Sequence, residues 1–577
     1  MINYDFNILK EALATSKLVI SFAEADLKCL AAPWAKDRFR HAQHRYKVEV
    51  ALNGTPASLY FGVQESFPLS LPSIFLPDWA KFGMLPHVET DGYVCYAQEE
   101  GLVLDYENIT GIIHEAISMA VQVIEDGISG KNKIDFLNEF GAYWDRLERS
   151  KSFISIVSPC NYVKKIYQIK NGGWYLSDDE RSFKKFRKLP LNTSCKSQSA
   201  IYVPLSHGTT IIPPHPSKFW KLADVRKNVL DNLTYENKDK LFSLIKNYHH
   251  HEEVILMSLP LPNGHETLFG IMFKGVTRGH PLYEDGAARE IIPLSITRRD
   301  KEYLLPRGGS NLGLREKRVL LIGCGSLGGF IASELTRAGI AQLTVLDKDK
   351  LTNENVFRHV LGKKHIAQNK VDGIKEDIEG RLPYVEVDPV CSSLEEALDS
   401  GKIRISDFDL ILSALGNVTI ELAFNEMVLK TADAPPVIFC WLEPYGIGGH
   451  ALLVNLNASS KGCLKCLYKP DEDDPQILVC RASFAEKGQV FVKNIDGCRN
   501  VFTPFGALDA IKTAELALRL AILTLNGHVK TNVLHSWRGD ATEFLKNGKI
   551  LSSRYYASKD NFIECVDYHR NKCSVCQ

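Results

Sequence analysis

The sequence lacks an excess of charge, a long apolar run and an abundance of cysteine, and each absence excludes a class of protein. It carries 69 basic and 69 acidic side chains in 577 residues, so it has no global electrostatic reason to bind nucleic acid or an anionic membrane. No apolar run approaches the roughly 18 residues of a membrane span, and the N-terminal segment mixes acids into its apolar positions, unlike a signal peptide. The sequence therefore predicts a cytoplasmic protein that binds no membrane and no nucleic acid directly.

Cysteine is sparse, but four of the cysteines are paired. The chain has 14 of them, too few for a disulfide scaffold, and a reducing compartment disfavours disulfides. Cys463 with Cys466 and Cys573 with Cys576 form two C-x-x-C pairs. Four thiolates supplied by two tight turns suit a closed, tetrahedral structural zinc site. This pattern predicts a Zn²⁺ site that fixes the C-terminus to the preceding domain, with a redox C-x-x-C as the alternative.

The chain also lacks internal repeats and low-complexity tracts, so domains must be inferred from local changes of pattern. Residues 1–150 run from a helix through extended stretches and a proline-rich passage to a second helix, which predicts one α+β domain. Residues 151–305 alternate short extended runs with polar connections and carry no motif. This pattern predicts a mixed linker or middle domain whose role is unknown. Residues 306–577 repeat strand, glycine-rich turn and helix, which predicts a parallel sheet with crossover helices. The predicted fold class is therefore multidomain α/β.

The middle segment has one distinctive charge run. It consists of four basic residues, Lys184, Lys185, Arg187 and Lys188. Such a run is typical of a solvated face. A docking surface for a partner is the functional alternative.

A glycine-rich loop opens the third segment. An apolar strand leads directly into Gly323, Gly325 and Gly328 in a G-x-G-x-x-G pattern, and a helical pattern follows. Glycine lets the backbone approach a phosphate, and the helix N-terminus supplies unpaired N–H groups. Asp347 ends the next strand, where an acid can accept hydrogen bonds from ribose hydroxyls. The loop alone fits a NAD dehydrogenase as well as an ATP-using enzyme.

The residues after Asp347 separate these two classes. Asp349, Asn355, Arg358 and Lys370 follow it, and two cations near the phosphates favour an enzyme that expels pyrophosphate. With this pattern the segment resembles the ThiF/MoeB superfamily of ATP-dependent activating enzymes, which includes the ubiquitin-activating enzymes. The resemblance implies a Rossmann-like adenylation domain that uses ATP and Mg²⁺, in which Arg358 and Lys370 act in catalysis.

One motif departs from that family. The family places two acids in a D-x-x-D-N context, and this chain has Ser413 and Gly416 at those positions while keeping Asn417. The second acid holds magnesium in the family. We therefore expect Mg²⁺ to be held differently, by Asp349 or by water and phosphate alone.

Cys498 is the candidate nucleophile of the adenylation domain. It lies in a predicted loop before a glycine-containing turn and a long helix, and in the resembling family the catalytic cysteine precedes such a segment. Arg499 beside it would favour the thiolate. The alternatives are Cys480 as a reserve nucleophile and a loop cysteine without a role.

Cys95 is a second candidate nucleophile, in the N-terminal domain. The stretch PLSLPSIFLPDWAKFGMLPHVETDGYVCYAQ resembles the active-site region of ubiquitin-conjugating enzymes, in which His-Pro-Asn precedes the catalytic cysteine. Counted back from Cys95, Gly92 matches the family's glycine and His-Pro-Asn reads Leu85, Pro86 and His87. His87 would donate a hydrogen bond to an oxyanion, act as a base if its pKa stays near about 6.5, or be structural.

At the level of the whole chain, these two regions look like the fused conjugating-and-activating enzymes of bacterial antiphage CBASS operons. The resemblance implies that ATP converts a protein's C-terminal carboxylate to an acyl adenylate, that a thioester passes from Cys498 to Cys95, and that a lysine takes the acyl group in an isopeptide bond. It also implies that the conjugated protein is a cGAS/DncV-like nucleotidyltransferase. A homodimer through the adenylation domain follows from the same resemblance, with Arg307 reaching the partner's ATP.

Two other functions stay open at this point. A sulfur-carrier activating enzyme would pass the adenylate to a persulfide, and Cys95 would be incidental. A non-catalytic, nucleotide-dependent scaffold is favoured slightly by Leu85 and Gly416, which replace polar residues of the two families.

Overall fold

The computed structural model describes residues 7–26, 28, 39–207, 211–215, 218–246, 250–494, 501–558 and 560–576. The chain divides into two compact units, residues 1–300 and 301–577. Among the described helices, none combines the length and the apolar character that crossing a bilayer requires.

The first unit begins with a small antiparallel sheet whose strands follow the order β1-β2-β3-β4. Helices pack on this sheet and enclose a single apolar core between them. The elements are α1 (Asn7–Thr15), β1 (Val19–Glu24), β2 (Ala42–Leu52), β3 (Thr55–Gln64), β4 (Ser73–Phe75), a 3₁₀ helix (Trp79–Phe82), α2 (Ile109–Ser129), α3 (Asp135–Asn138) and α4 (Phe140–Asp145). This arrangement is the α+β domain that the sequence predicts.

Helix α2 supplies much of that core. Ile113, Ile117 and Ile124 recur at helical spacing and are buried, so one face of the helix covers the sheet. The Asn108 side chain accepts the Gly111 N–H at the start of the helix, which satisfies one of the unpaired donors of the first turn.

Residues 151–300 of the same unit form a closed barrel of seven strands in the order β10-β11-β5-β7-β6-β8-β9. Three helices accompany it. The elements are β5 (Lys151–Ser155), β6 (Lys164–Lys170), β7 (Trp174–Ser177), α5 (Glu180–Arg187), β8 (Lys196–Pro204), α6 (Leu222–Leu230), α7 (Tyr235–Ile245), β9 (Glu252–Pro260), β10 (Glu266–Lys274) and β11 (Glu290–Arg298). The alternating segment is thus a folded barrel with its own core, and closure leaves no open sheet edge.

The basic run lies on and just after α5. Lys185, Arg187 and Lys188 are exposed, whereas Lys184 is half-buried. Arg187 lies over the ring of Tyr175, with its guanidinium carbon 5.5 Å from the ring centroid. These positions agree with a solvated face.

The second unit is built on an eight-stranded sheet in the order β14-β13-β12-β15-β16-β17-β22-β23. The first five strands pair in parallel and the last three antiparallel, so the predicted parallel sheet is confirmed and extended by antiparallel strands. The strands of this sheet are β12 (Arg318–Ile322), β13 (Gln342–Leu346), β14 (Glu386–Val390), β15 (Leu410–Ser413), β16 (Val437–Leu442), β17 (Gly448–Val454), β22 (Val533–Arg538) and β23 (Phe562–Cys565). Two separate two-stranded sheets pair β18 (Tyr468–Pro470) with β19 (Leu478–Cys480) and β20 (Lys493–Asn494) with β21 (Val501–Phe502).

Helices cover both faces of this sheet. They are α8 (Lys301–Arg307), α9 (Ser326–Arg337), α10 (Lys370–Arg381), α11 (Leu394–Asp399), α12 (Val418–Lys430), α13 (Ala507–Leu525), α14 (Thr542–Lys546) and α15 (Ser553–Ala557), with 3₁₀ turns at Leu312–Leu314, Asn353–Arg358, Lys363–His365, Ile405–Asp407, Pro444–Gly446 and Leu464–Leu467. Helices α9, α10 and α13 share one core with the sheet, and α11 and α12 share the other. β13 lies on one side of β12 and β15 lies on the other, so the strand order reverses direction at β12. In open α/β sheets, ligands bind at the carboxyl ends of the strands where this reversal occurs.

Candidate functional site

The glycine loop joins β12 to α9 and leaves no room for side chains at two of its three glycines. Gly323 has a left-handed φ of +88°. A Cβ on Gly328 would lie 1.9 Å from the Gly323 carbonyl oxygen, whereas a Cβ on Gly325 would meet no atom within 4 Å. The loop is therefore tightly closed on itself and open at Gly325, the residue that precedes the first turn of α9.

Asp347, at the end of β13, is hydrogen-bonded to this loop. Its Oδ2 accepts the Cys324 N–H at 2.7 Å and its Oδ1 accepts the Asp349 N–H at 2.7 Å. The Lys370 ammonium lies 3.0 Å from Asp349 Oδ2 and 3.7 Å from Asp347 Oδ2, and Lys370 is buried. The two acids and the lysine thus form one charged cluster beside the glycine loop.

Arg358 is held rigidly in the same region. Its guanidinium donates to Asn355 Oδ1 at 3.0 Å and lies over the ring of Phe505, 5.1 Å from the centroid. Burial lowers the pKa of Arg358 from its ordinary value, but the guanidinium stays charged at any accessible pH. All the predicted nucleotide-binding residues therefore lie on the β12–α9 loop or in the segment between β13 and the start of α10.

His359 is a residue of this site that the sequence reasoning missed. Its Nδ1 accepts the Leu361 N–H at 3.0 Å, so Nε2 carries the proton and donates to the Cys324 carbonyl at 2.7 Å. The ring is buried, and this burial lowers its pKa. A neutral histidine therefore holds the glycine loop through its hydrogen bond to the Cys324 carbonyl. In the sequence, only the position of His359 directly after Arg358 could have indicated this role.

Ser413 and Gly416 themselves supply no carboxylate for a metal ion. Gly416 has a φ of +67° and open space at its Cβ position, and Asn417 caps α12 by accepting the Ile420 N–H. Ser413 donates to Glu421 Oε1 at 2.7 Å, and burial raises the pKa of Glu421 to about 7. Asp349, whose side chain is 59% exposed, fits magnesium better, because Mg²⁺ takes one or two carboxylates together with phosphate and water.

The structure describes one of the two candidate nucleophiles of the second unit, Cys480. Cys498 and Arg499 lie outside the described residues. Cys480, on β19, is half-buried, and burial raises its pKa to about 11. A thiol that is protonated at neutral pH is a poor nucleophile, which weakens the case for Cys480.

The four paired cysteines come together although 106 residues separate the two pairs. The Sγ–Sγ distances are 3.9 Å for Cys463–Cys466, 3.8 Å for Cys463–Cys573 and 3.3 Å for Cys466–Cys576, and all four sulfurs lie within 4.8 Å of one another. Tetrahedral Zn–S bonds of about 2.3 Å place sulfurs about 3.8 Å apart. The cluster therefore fits a Zn²⁺ ion, which would cross-link the C-terminus to the turn after β17.

Cys95 lies at the end of a short hairpin in the first unit. The hairpin runs from His87 to Cys95, with a bridge between Val88 and Val94. The Cys95 thiol is exposed, and its backbone N–H donates to the His87 carbonyl at 2.8 Å. Gly92 has a φ of +86° and a Cβ there would lie 2.4 Å from the Leu76 carbonyl oxygen, so the turn requires glycine.

His87 is held by acidic residues that the sequence reasoning did not identify. Its Nε2 lies 3.1 Å from Asp135 Oδ2 and its Nδ1 lies 3.1 Å from Glu139 Oε1, while its backbone N–H donates to the Tyr143 hydroxyl. The hydrogen bond and charge of Glu139, with help from Asp135, raise the pKa of His87 to about 9. The ring is therefore charged at neutral pH, and both nitrogens donate, which disfavours the role of a base.

Leu85, which stands where the conjugating enzymes have histidine, is buried. Its side chain packs against α2 at Gly127, where a Cβ would lie 3.3 Å from Leu85 Cδ2. The position therefore has a packing role here.

Two family models match separate parts of the chain. Residues 22–153 match the model of prokaryotic E2 family B, and residues 306–559 match that of the ThiF family. The ATP-dependent ubiquitin transferase-like protein Cap2 of Pseudomonas aeruginosa is 22% identical over 77% of this chain and 80% of that protein, and Cap2 of Escherichia coli strain TW11681 is 22% identical over 85% and 88%. Among solved structures, E. coli MccB with ATP is similar at 18% identity and a TM-score of 0.33, covering 46% of this chain and 67% of that one.

Proposed function

Because this chain is a fused E2-like and ThiF-type enzyme, an ATP-dependent ubiquitin-like activating enzyme and transferase, we propose that it attaches the C-terminus of a partner protein to a target amine. The observation that carries the proposal is the presence, in one chain, of a phosphate-binding loop with adjacent cations and of an exposed cysteine on a rigid E2-like hairpin. An adenylating domain needs an acceptor thiol, and a conjugating domain needs a loaded donor.

Activation is the first step. The partner's terminal carboxylate attacks the α-phosphorus of ATP, an acyl adenylate forms and pyrophosphate leaves. Gly325 leaves space for the phosphates at the N-terminus of α9, Asp347 accepts the ribose hydroxyls, and Arg358 and Lys370 stabilise the charge that develops on the leaving group. Mg²⁺, held by Asp349, would neutralise phosphate charge.

The acyl group then moves through two thioesters. The Cys498 thiolate attacks the acyl carbon and AMP leaves. The Cys95 thiolate attacks the resulting thioester and Cys498 leaves as a thiolate. A lysine amine finally attacks the Cys95 thioester, the amine loses its proton, Cys95 leaves as a thiol, and an isopeptide bond remains. His87, charged and held by Asp135 and Glu139, supports the shape of the hairpin, because both of its ring N–H groups already donate to these carboxylates rather than to an oxyanion.

The proposal also covers the activated partner, the biological role of the reaction, the oligomeric state and the zinc site. The activated partner is a cGAS/DncV-like nucleotidyltransferase, the reaction serves antiphage defence in the cytoplasm, and the enzyme is a homodimer through its adenylation domain. Arg307, which lies over the Tyr303 ring at the C-terminal end of α8, would reach the ATP of the second copy. The cysteine cluster holds Zn²⁺ in a structural role.

Thioester formation tests the relay. The purified full chain is mixed with ATP, Mg²⁺ and a cGAS/DncV-like protein, and adducts that reducing agent removes are detected by gel and mass spectrometry. We expect an adduct on Cys95 that Cys95→Ala and Cys498→Ala abolish. Cys391→Ala is the matched control, because Cys391 is exposed and has no assigned role.

Three outcomes would contradict the proposal in different ways. Normal loading of Cys95 in the Cys498→Ala variant would refute the relay. A thiocarboxylate product would identify a sulfur-carrier activating enzyme. A lack of partner-dependent exchange of pyrophosphate into ATP would identify a scaffold.

A further inference from the structure

We propose that residues 135–146, near the C-terminal end of the E2-like region, hold the Cys95 hairpin in the geometry for thioester transfer and use the seven-stranded barrel as their support. This inference rests on the proposed function of Cys95. It gives the barrel a role, and it makes Asp135, Glu139 and Tyr143 positioning residues that act through His87.

The 135–146 segment contacts the hairpin at both the side chain and the backbone of His87. Asp135 and Glu139 pair with the two ring nitrogens, each at 3.1 Å. The Tyr143 hydroxyl accepts the His87 N–H at 2.9 Å. Three groups of one segment therefore fix a residue whose φ of +63° is uncommon for anything but glycine.

A second ion pair ties the hairpin farther along. Arg146 Nη2 lies 2.9 Å from Glu89 Oε1, and the Glu89 side chain is only 16% exposed. The Glu89 N–H also donates to the Tyr93 carbonyl across the hairpin. The 135–146 segment thus contacts the hairpin strand at two alternate residues, 87 and 89.

His87 passes this constraint directly to the nucleophile. Its carbonyl accepts the Cys95 N–H at 2.8 Å, so any shift of His87 moves the backbone that carries the thiol. A displacement of about 1 Å in a reacting group can cost roughly a hundredfold in rate. The position of His87 therefore controls the transfer rate.

The other face of the same segment is buried on the barrel. Phe140 and Trp144 pack on Phe269 of β10, with ring centroids 4.8 and 4.6 Å apart. The Trp144 Nε1–H donates to the Leu294 carbonyl of β11 at 3.0 Å. Both aromatic residues are at most 1% exposed, so the barrel fixes the helix that presents Tyr143.

The side chains that face the His87 ring and backbone from the packed segment are Asp135, Glu139 and Tyr143. The two carboxylates raise the pKa of His87 to about 9 from 6.5. Since the raised value belongs to the folded state, the stabilisation is complete below about pH 6.5 and is lost as the pH rises through about 9. The hairpin should therefore loosen in alkaline solution.

Glu139→Gln in the full chain tests the contact with His87. It removes the charge of the stronger partner while keeping a similar shape, and Glu148→Gln is the matched control because Glu148 is exposed nearby. Two measurements are made, hydrogen exchange of a peptide spanning residues 85–96 and the rate at which the Cys95 thioester discharges to free lysine. At neutral pH we expect Glu139→Gln to speed exchange and slow discharge by about three- to tenfold, with the exchange rates of variant and wild type converging above about pH 9.

The barrel contact is tested by a substitution and its suppressor. A Cβ on Gly141 would lie 2.8 Å from Thr267 Oγ1 of β10 but 3.9 Å from Thr267 Cβ. Gly141→Ala should push α4 away from the barrel and slow discharge. Adding Thr267→Ala should restore the rate, because it removes the clashing oxygen together with the γ-methyl group of Thr267 and keeps Cβ, which lies at an ordinary contact distance. Thr267→Ala alone should discharge as wild type does.

Different outcomes would refute the proposed function of Cys95 and the positioning role of residues 135–146. If wild type forms no thioester on Cys95, the proposed function fails, while hydrogen exchange still reports whether the segment holds the hairpin. If wild type forms the thioester but Glu139→Gln matches it in exchange and discharge from neutral pH to pH 9, the positioning role is refuted. If Gly141→Ala discharges normally, or if Thr267→Ala does not rescue it, the barrel is not the support.

Discussion

His359 offers the sharpest test of how the second unit holds its glycine loop. The neutral ring makes two buried hydrogen bonds, to the Cys324 carbonyl and from the Leu361 N–H. His359→Ala removes both and leaves two buried backbone groups without these partners. At about 1–2 kcal/mol for each orphaned group, we expect a loss of about 2–4 kcal/mol. His359→Gln can keep the donor to Cys324, so its cost should be about 1 kcal/mol.

The same ring predicts a pH dependence of defined sign. Burial lowers the pKa of His359 from 6.5, and nearby Lys370 and Arg358 act in the same direction, while the hydrogen bond to the Cys324 carbonyl and the charge of Asp347 oppose them. The neutral ring therefore contributes stability that is complete above about pH 6.5 and is lost as the pH falls toward the lowered pKa. Each pH unit below 6.5 costs at most about 1.4 kcal/mol, so the loss at pH 5.5 should not exceed about 1.4 kcal/mol.

The assay compares ATP affinity and hydrogen exchange of a peptide spanning residues 320–330 in wild type, His359→Gln and His528→Gln between about pH 5.5 and 7.5. His528 is an exposed histidine of the same unit and serves as the control. Wild type and the control should lose affinity and protection at the acid end, and His359→Gln should lose neither. If all three proteins respond to pH in parallel, the titration of His359 does not govern the loop and the reasoning is wrong.

Three further predictions concern the second unit. Cys573→Ser should release about one zinc ion per chain and lower the apparent melting temperature by several degrees, whereas Cys391→Ser should do neither; metal analysis that finds no zinc in wild type would refute the cluster's role. Gly328→Ala should cost about 3 kcal/mol or more because its Cβ would overlap a loop carbonyl, while Gly325→Ala should leave stability unchanged in thermal unfolding; equal losses would refute the packing argument. Cys480→Ala should not change the rate of adenylate discharge in a single-turnover assay, because its thiol has a pKa of about 11, and a large loss would reinstate it as the nucleophile.

Features that depend on neighbours in sequence could be predicted from the sequence. Gly323 and Gly328 follow an apolar strand and precede a helix, and this order is local, so the sequence shows the loop directly. Cys463 and Cys466 share one turn, as do Cys573 and Cys576, and the structure then brings the two pairs together. The spacing from His87 to Cys95 matched both residues to a known motif, but the hairpin that joins them appears only in the structure.

Contacts between distant segments were decided only by the tertiary structure. Asp135 and Glu139 are 48 and 52 positions from His87, and no pattern in the sequence links them. His359 is indistinguishable in sequence from any histidine that follows an arginine, until the fold places it under the glycine loop. Strand periodicity in residues 151–300 showed extended segments but not their closure into a barrel, because pairing order depends on registers between remote strands. The sequence by itself thus determined which residues are candidates for the chemistry, and the tertiary structure decided which residues hold them in place, since positioning comes from packing and hydrogen bonds that only the folded chain can form.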